Sequence, residues 1–195
     1  MKLTEAQEMA NDLIGSAHLL VAAVLSLKTA VLNDAAGKRV SFSQLKVLKL
    51  IDLGGPQQVG DVAAFLGVSD AAASKTVDHL VRQKYLRRSI GQTDRRRTEL
   101  SLAAAGRKVL EHYDLAKDDA LGAVFRNLDP EEVRRTTSFL EELTRAIVNG
   151  TVNAQEICLQ CGIYLKKRCL VREAARQDCQ YHRRRKSREI PADLA

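Results

Sequence analysis

Apolar residues recur near the start of the chain in alternating steps of four and three: Leu13, Ala17, Leu20, Val24, Leu27 and Val31. That spacing puts them on one face of an α-helix. It predicts a long helix over 4–32, opened by Thr4 with Glu5 and Gln7 behind it and broken at Asn33-Asp34 and Gly37. Ser41 opens a second helix over 42–53, closed by Gly54-Gly55-Pro56, and a short third helix over 57–66 is closed by Gly67. Ser69 is a good N-cap for a fourth helix running to about Lys84, with Ala73, Val77, Leu80 and Val81 on its inner face. The period then changes. Residues 86–90 and 98–102 read as short strands around a polar, Gly-containing loop, so they form a hairpin with a basic tip. Helical patterning resumes over 103–127 and again from Asp129-Pro130, where Val133, Leu140 and Ile147 repeat every seven residues beside Phe139 and Leu143 until Asn149-Gly150.

The expected fold is therefore mainly α with a small β-hairpin. Two short helices joined by Gly67-Val68-Ser69 and followed by a charged hairpin make a winged helix-turn-helix, the hairpin being the wing. Residues 1–150 form this unit with its long flanking helices, the winged part lying at about 41–107, and 151–195 form a separate tail. Hydrophobic residues make up 45% of the chain but aromatics only 4%, with no Trp, so Leu, Val and Ala must build the core. No continuous apolar run approaches the roughly 20 residues of a membrane span, and the charged, polar start does not resemble a signal peptide. A cytoplasmic protein with reduced cysteines is expected.

The net charge of +7 favours a polyanionic partner. In the fourth helix Ser69, Ser74, Lys75, Thr76 and His79 can donate to phosphates or base edges of duplex DNA, and Ala71, Ala72 and Ala73 allow close approach. The wing brings Arg87, Arg88, Arg95, Arg96 and Arg97 within eleven residues, suited to a narrow minor groove. Asp94 is expected to shape the wing turn and orient one of these arginines.

On these residues the sequence resembles the MarR family of bacterial regulators. The resemblance is carried by the helix at 57–66, the recognition helix at 69–84, Arg88 in the first wing strand, Asp94-Arg95-Arg96 at the tip, Leu100-Ser101-Leu102 in the second strand, and Gly106. Two positions depart from it. Lys84 stands where the family usually has Gly, and Ala103 where it usually has Thr or Ser, which removes a helix cap. The resemblance implies a homodimer in which the first and last helices interlock, and the apolar stripes of those helices suit that role. Twofold symmetry then implies a pseudo-palindromic operator. It also implies a small-molecule effector, which no residue here identifies.

The tail carries all four cysteines, as Cys158-x2-Cys161-x7-Cys169-x9-Cys179, and +5 of the net charge (ten Lys/Arg against five Asp/Glu). Cys158-Leu159-Gln160-Cys161-Gly162 has the form of a metal knuckle. Two readings compete. All four thiolates hold an iron–sulfur cluster of the 4Fe–4S kind, which is preferred because it uses every thiol. Alternatively Cys158, Cys161, Cys179 and His182 hold zinc, with Cys169 spare or replacing His182. A cluster would make DNA binding respond to redox state or iron supply, and its loss would free Arg183-Arg184-Arg185-Lys186. Zinc would be a structural staple.

The expected function is a DNA-binding transcription regulator, a repressor by preference, tuned by that centre. The alternatives are the same regulator with a zinc tail and an effector, and a non-selective chromosome-binding protein. An enzyme is not expected: Cys158-x2-Cys161 lacks a βαβ context, and the chain shows no paired catalytic carboxylates, phosphate loop or Ser/His/Asp arrangement.

Overall fold

The computed structural model describes residues 4–37, 39–90 and 98–150, together with Leu170. Among the described residues, six helices and one hairpin follow in the order α1 (Glu5–Ala36), α2 (Phe42–Gly54), α3 (Val59–Leu66), α4 (Asp70–Arg82), β1 (Leu86–Ile90), β2 (Thr98–Leu102), α5 (Ala104–Phe125) and α6 (Pro130–Gly150). The mainly helical fold with one two-stranded antiparallel sheet is the one read from the sequence.

Local chemistry sets most boundaries. Thr4 caps α1 reciprocally with Gln7, and Ser41 caps α2 with Gln44, each satisfying backbone donors that a helix start leaves unpaired. Helix α1 runs through Asn33-Asp34, which had been expected to break it, because Val31, Leu32 and Ala36 are buried and hold the last turn on the core. Gly37 ends it in the left-handed conformation. The expected helix at 57–66 begins two residues later. Gln57 instead pairs with Leu100, its N–H donating to the Leu100 carbonyl at 3.1 Å and its carbonyl accepting the Leu100 N–H at 2.7 Å. Its buried side chain donates to the Gly54 and Gly55 carbonyls. The wing is thus anchored to the start of α3.

The core lies under the winged part. Leu45, Val47, Leu48, Val62, Ala73, Val77, Leu80 and Leu100 are fully buried there, with Leu32 of α1 and Tyr113 of α5 closing it. Each large aliphatic side chain buried this way contributes on the order of 1.5–3 kcal/mol. Beyond the core the surface changes character. Apart from Val68 and Ile90, the exposed large apolar side chains belong to α1 (Met9, Ile14, Leu19, Leu20, Val21, Leu25), to the second half of α5 and its turn (Leu115, Val124, Phe125, Leu128) and to α6 (Phe139, Leu140, Ile147).

Helix α1 is long and apolar enough, by length and composition, to cross a membrane, although few residues of its most apolar stretch are buried in this chain. The apolar residues of α1 are interleaved with Ser16, His18, Ser26 and Thr29, so no continuous run reveals them. Its C-terminal part packs on α5.

A charged cluster sits where α1, α2 and α5 meet. Lys49 Nζ donates to Asp114 Oδ1 at 2.6 Å and lies 5.3 Å from the Tyr113 ring centroid. Lys117 reaches Asp114 at 3.2 Å and Asp118 at 3.0 Å. Burial opposes the Lys117 charge, but these two carboxylates outweigh it and raise its pKa above the ordinary lysine value. Lys28 of α1 is buried, and burial together with the Lys117 and Lys49 charges lowers its pKa.

Candidate nucleic-acid interface

Helices α3 and α4 are joined through Gly67, which takes φ +66° and donates its N–H to the Ala63 and Ala64 carbonyls. A left-handed residue lets the chain reverse within two further residues, and Gly adopts it without steric penalty. Ser69 then caps α4, its Oγ accepting the Ala72 N–H at 3.3 Å. Ala73, Val77 and Leu80 are fully buried and fix the rotation of α4. At 100° per residue the opposite face presents Ala71, Lys75 and Arg82, all exposed, flanked by Asp78 and His79. Arg82 was not singled out in the sequence. It lies seven residues after Lys75, two helical turns, so the spacing that found the inner face could also have found this one.

The other expected α4 contacts divide. Ser74 and His79 are half-buried at the edges of the outer face. Thr76 donates its hydroxyl proton to the Ala72 carbonyl at 3.1 Å, leaving only acceptor capacity for a ligand. Ser69 uses an acceptor site for the cap and keeps its proton.

Between α4 and the wing, Gln83 N–H donates to the His79 carbonyl and Tyr85 N–H to the Leu80 carbonyl, while Lys84 turns with φ +61°. Lys84 is the non-glycine residue with positive φ among the described residues. It occupies the place where the resemblance expects Gly. Behind this turn Gly106 of α5 passes so close that a Cβ there would stand 2.3 Å from the Tyr85 carbonyl oxygen. The same oxygen accepts the Ala103 N–H at 3.0 Å. Ala103 starts α5 without a side-chain cap.

The hairpin pairs Leu86 with Leu102, Arg88 with Leu100 and Ile90 with Thr98. Strand side chains alternate faces, so Arg88 shares a face with buried Leu86 and Leu100, and Arg87 shares the other with Ser101. Arg88 accordingly reaches back to α4, its Nη2 standing 2.7 Å from Asp78 Oδ1. The two wing arginines that sequence reading grouped together are both exposed but divided in partner: Arg88 is tied to the helix and Arg87 lies on the other face of the hairpin. Arg95, Arg96 and Arg97, and Asp94 beside them, lie outside the described residues, as do Cys158, Cys161, Cys169, Cys179 and His182. Among the described residues no group of three or more His, Cys, Asp or Glu is placed to hold a metal ion.

This helix, its turn and the first wing strand lie in a segment that matches a family model. Residues 40–97 match the MarR family. The MarR segment thus spans α2, α3, α4 and β1. Over 88 residues, 45% of this chain, the sequence is 28% identical to the uncharacterized HTH-type transcriptional regulator YpoP of Bacillus subtilis, and the match spans 62% of that relative's length. The fold superposes on a MarR family protein from Bacillus stearothermophilus with TM-score 0.63 at 14% identity, over 75% of this chain and 99% of that one. It also superposes on an S. aureus MepR mutant solved with a bound oligodeoxyribonucleotide, with TM-score 0.52 at 16% identity, over 75% and 99% of the two chains. The winged helix-turn-helix architecture of the MarR family is therefore present here.

Proposed function

We propose that this protein is a homodimeric transcription regulator, a repressor in its simplest form, that binds duplex DNA and performs no catalysis. The observation that carries this reading is the outer face of α4: Lys75 and Arg82 stand exposed beside a wing that is held to the same helix by the Asp78–Arg88 pair. The match of residues 40–97 to the MarR family and the DNA-bound MepR neighbour support it. In this reading α4 enters the major groove with Lys75, Arg82, Ser69, Ser74 and His79 toward the DNA, and Arg87 with Arg95, Arg96 and Arg97 follow the neighbouring backbone and minor groove. The exposed apolar faces of α1 and α6 meet their counterparts in a second copy, and the dimer reads two half-sites about 10 bp apart. The protein then works where the chromosome is, in the cytoplasm. An effector acting between the helical arms and the winged part belongs to the same reading.

A duplex selected from a random pool, titrated against bulk random DNA at several salt concentrations, tests it. Selective binding that weakens steeply with salt is expected, since each neutralised phosphate releases about 0.9 counterion. Arg95→Ala and Arg96→Ala together, and Lys75→Ala with Arg82→Ala, should each weaken binding while the chain stays folded. Equal competition by random DNA would make it a non-selective chromosome-binding protein, and no duplex binding at all would end the reading.

For the tail, we propose that Cys158, Cys161, Cys169 and Cys179 hold an iron–sulfur cluster that adjusts DNA affinity with redox state. The support is the clustering and spacing of the thiols in the sequence. Protein purified without air should be brown and contain iron and sulfide. A colourless protein with one zinc would assign Cys158, Cys161, Cys179 and His182 as a structural site instead.

A further inference from the structure

We infer that Arg88, with Asp78, is a positioning pair that sets the angle of the wing against α4, rather than a direct DNA contact. The inference rests on the DNA-binding reading above and deepens it.

Three features link helix and wing. The chain between them is short, from Arg82 at the end of α4 to Leu86 at the start of β1, and it turns on Lys84, an L-residue in the left-handed region. Such a residue is held there only when its surroundings determine it. The Tyr85 carbonyl is clamped from behind, receiving the Ala103 N–H and abutting Gly106. On the far side of the turn, β1 is tethered to α4 by Arg88 Nη2 to Asp78 Oδ1 at 2.7 Å. Asp78 lies one helical turn before Arg82 and Arg88 two residues into the strand, so the pair spans the hinge and closes a loop around it.

The strand register explains why this arginine, and not its neighbour, is recruited. Leu86 and Leu100 commit one face of the hairpin to the core, and Arg88 lies on that face beside Leu100. Arg87, on the other face, is exposed. The Asp78 carboxylate would otherwise put a negative charge on the DNA-facing side of α4, where it would repel phosphate. Pairing neutralises it and turns a liability into a brace.

The two possible roles of Arg88 give opposite signs for one variant. If Arg88 contacted phosphate, Asp78→Asn would free its guanidinium and remove a nearby negative charge, so DNA affinity would rise. If the pair is a brace, Asp78→Asn loosens the wing and affinity falls. A pair of this exposure supports a loss of about two- to fivefold per half-site.

The test measures affinity of the full-length protein, by fluorescence anisotropy over a salt series, for a duplex selected from a random pool by the wild type. Asp78→Asn and Arg88→Gln should each lower affinity by that factor without changing the slope of log affinity against log salt. Lys75→Gln should reduce the slope by about one, as loss of a phosphate contact does. The reversed pair, Asp78→Arg with Arg88→Asp, should recover much of the loss, with thermal melting confirming folding throughout. A rise in affinity for Asp78→Asn, or a slope for Arg88→Gln lowered like that of Lys75→Gln, overturns the inference. Absence of wild-type binding to any selected duplex would instead defeat the DNA-binding reading itself.

Discussion

Lys84 shows how a single residue can be out of keeping with its backbone. Its φ of +61° places an L-residue where Cβ crowds the following carbonyl, a conformation disfavoured by about 1–2 kcal/mol. Lys84→Gly should therefore stabilise the fold by about 1 kcal/mol, less the entropy that glycine adds to the unfolded chain. Chemical denaturation would show it as a higher midpoint at unchanged slope. Lys28 is out of keeping with its surroundings instead, a lysine buried in α1. Its pKa in the folded protein lies below the ordinary lysine value of 10.5, so the folded state releases this proton before the unfolded chain does. Stability attributable to Lys28 thus rises with pH between its lowered value and 10.5. Lys117, raised by its carboxylates, acts in the opposite sense above 10.5. Lys28→Met removes this titration, so any gain in melting temperature over the wild type should shrink as melting is repeated toward pH 10.5. A gain that stays constant across that range would assign it to packing rather than charge.

At the scale of elements, the winged part works as one piece because its contacts are between backbones as much as side chains. Gln57 adds a bridge to β2, Ala103 N–H donates to Tyr85, and Gly106 lets α5 pass against the same carbonyl. Gly106→Ala would force α5 away from the α4–β1 turn, and a loss of about 1–3 kcal/mol is expected from overpacking. Because the displaced turn orients the wing, DNA affinity should fall in the same variant even at a temperature where it is fully folded. Full affinity in a folded Gly106→Ala protein would dissociate the α5 contact from wing orientation. Gly106 was legible in the sequence only through the family resemblance. A glycine early in a helix has no signature of its own, and the oxygen it avoids lies about twenty residues away in the chain.

For the whole molecule the decisive feature is an imbalance of surfaces. The winged part buries its apolar residues apart from Val68 and Ile90, whereas most of α1, the second half of α5 and α6 leave theirs exposed. Exposed apolar side chains in such number mark an interface, and in the proposed dimer they are covered by a second copy. Phe139→Asp with Leu140→Asp, both exposed in the single chain, should then shift the protein from dimer to monomer in analytical ultracentrifugation. DNA binding would weaken with it, since a monomer reads one half-site. A dimer surviving both charges would locate the interface elsewhere.

The sequence by itself determined the elements. Caps at Thr4, Ser41 and Ser69, the left-handed glycines at 37 and 67, and the change of period at the hairpin are local, and local chemistry decides them. The strands Leu86–Ile90 and Thr98–Leu102 follow from alternation alone. Even the separation of Arg87 from Arg88 was implicit there, since Leu86 must face inward and Arg88 follows it by two. What only the tertiary structure decided is which groups meet across the chain. Asp78 finds Arg88, Lys49 finds Asp114 sixty-five residues on, and Gln57 leaves its helix to pair with Leu100. No periodicity encodes those meetings, because they depend on how whole elements pack, and packing is settled by the summed burial of many residues rather than by the pattern around any one of them.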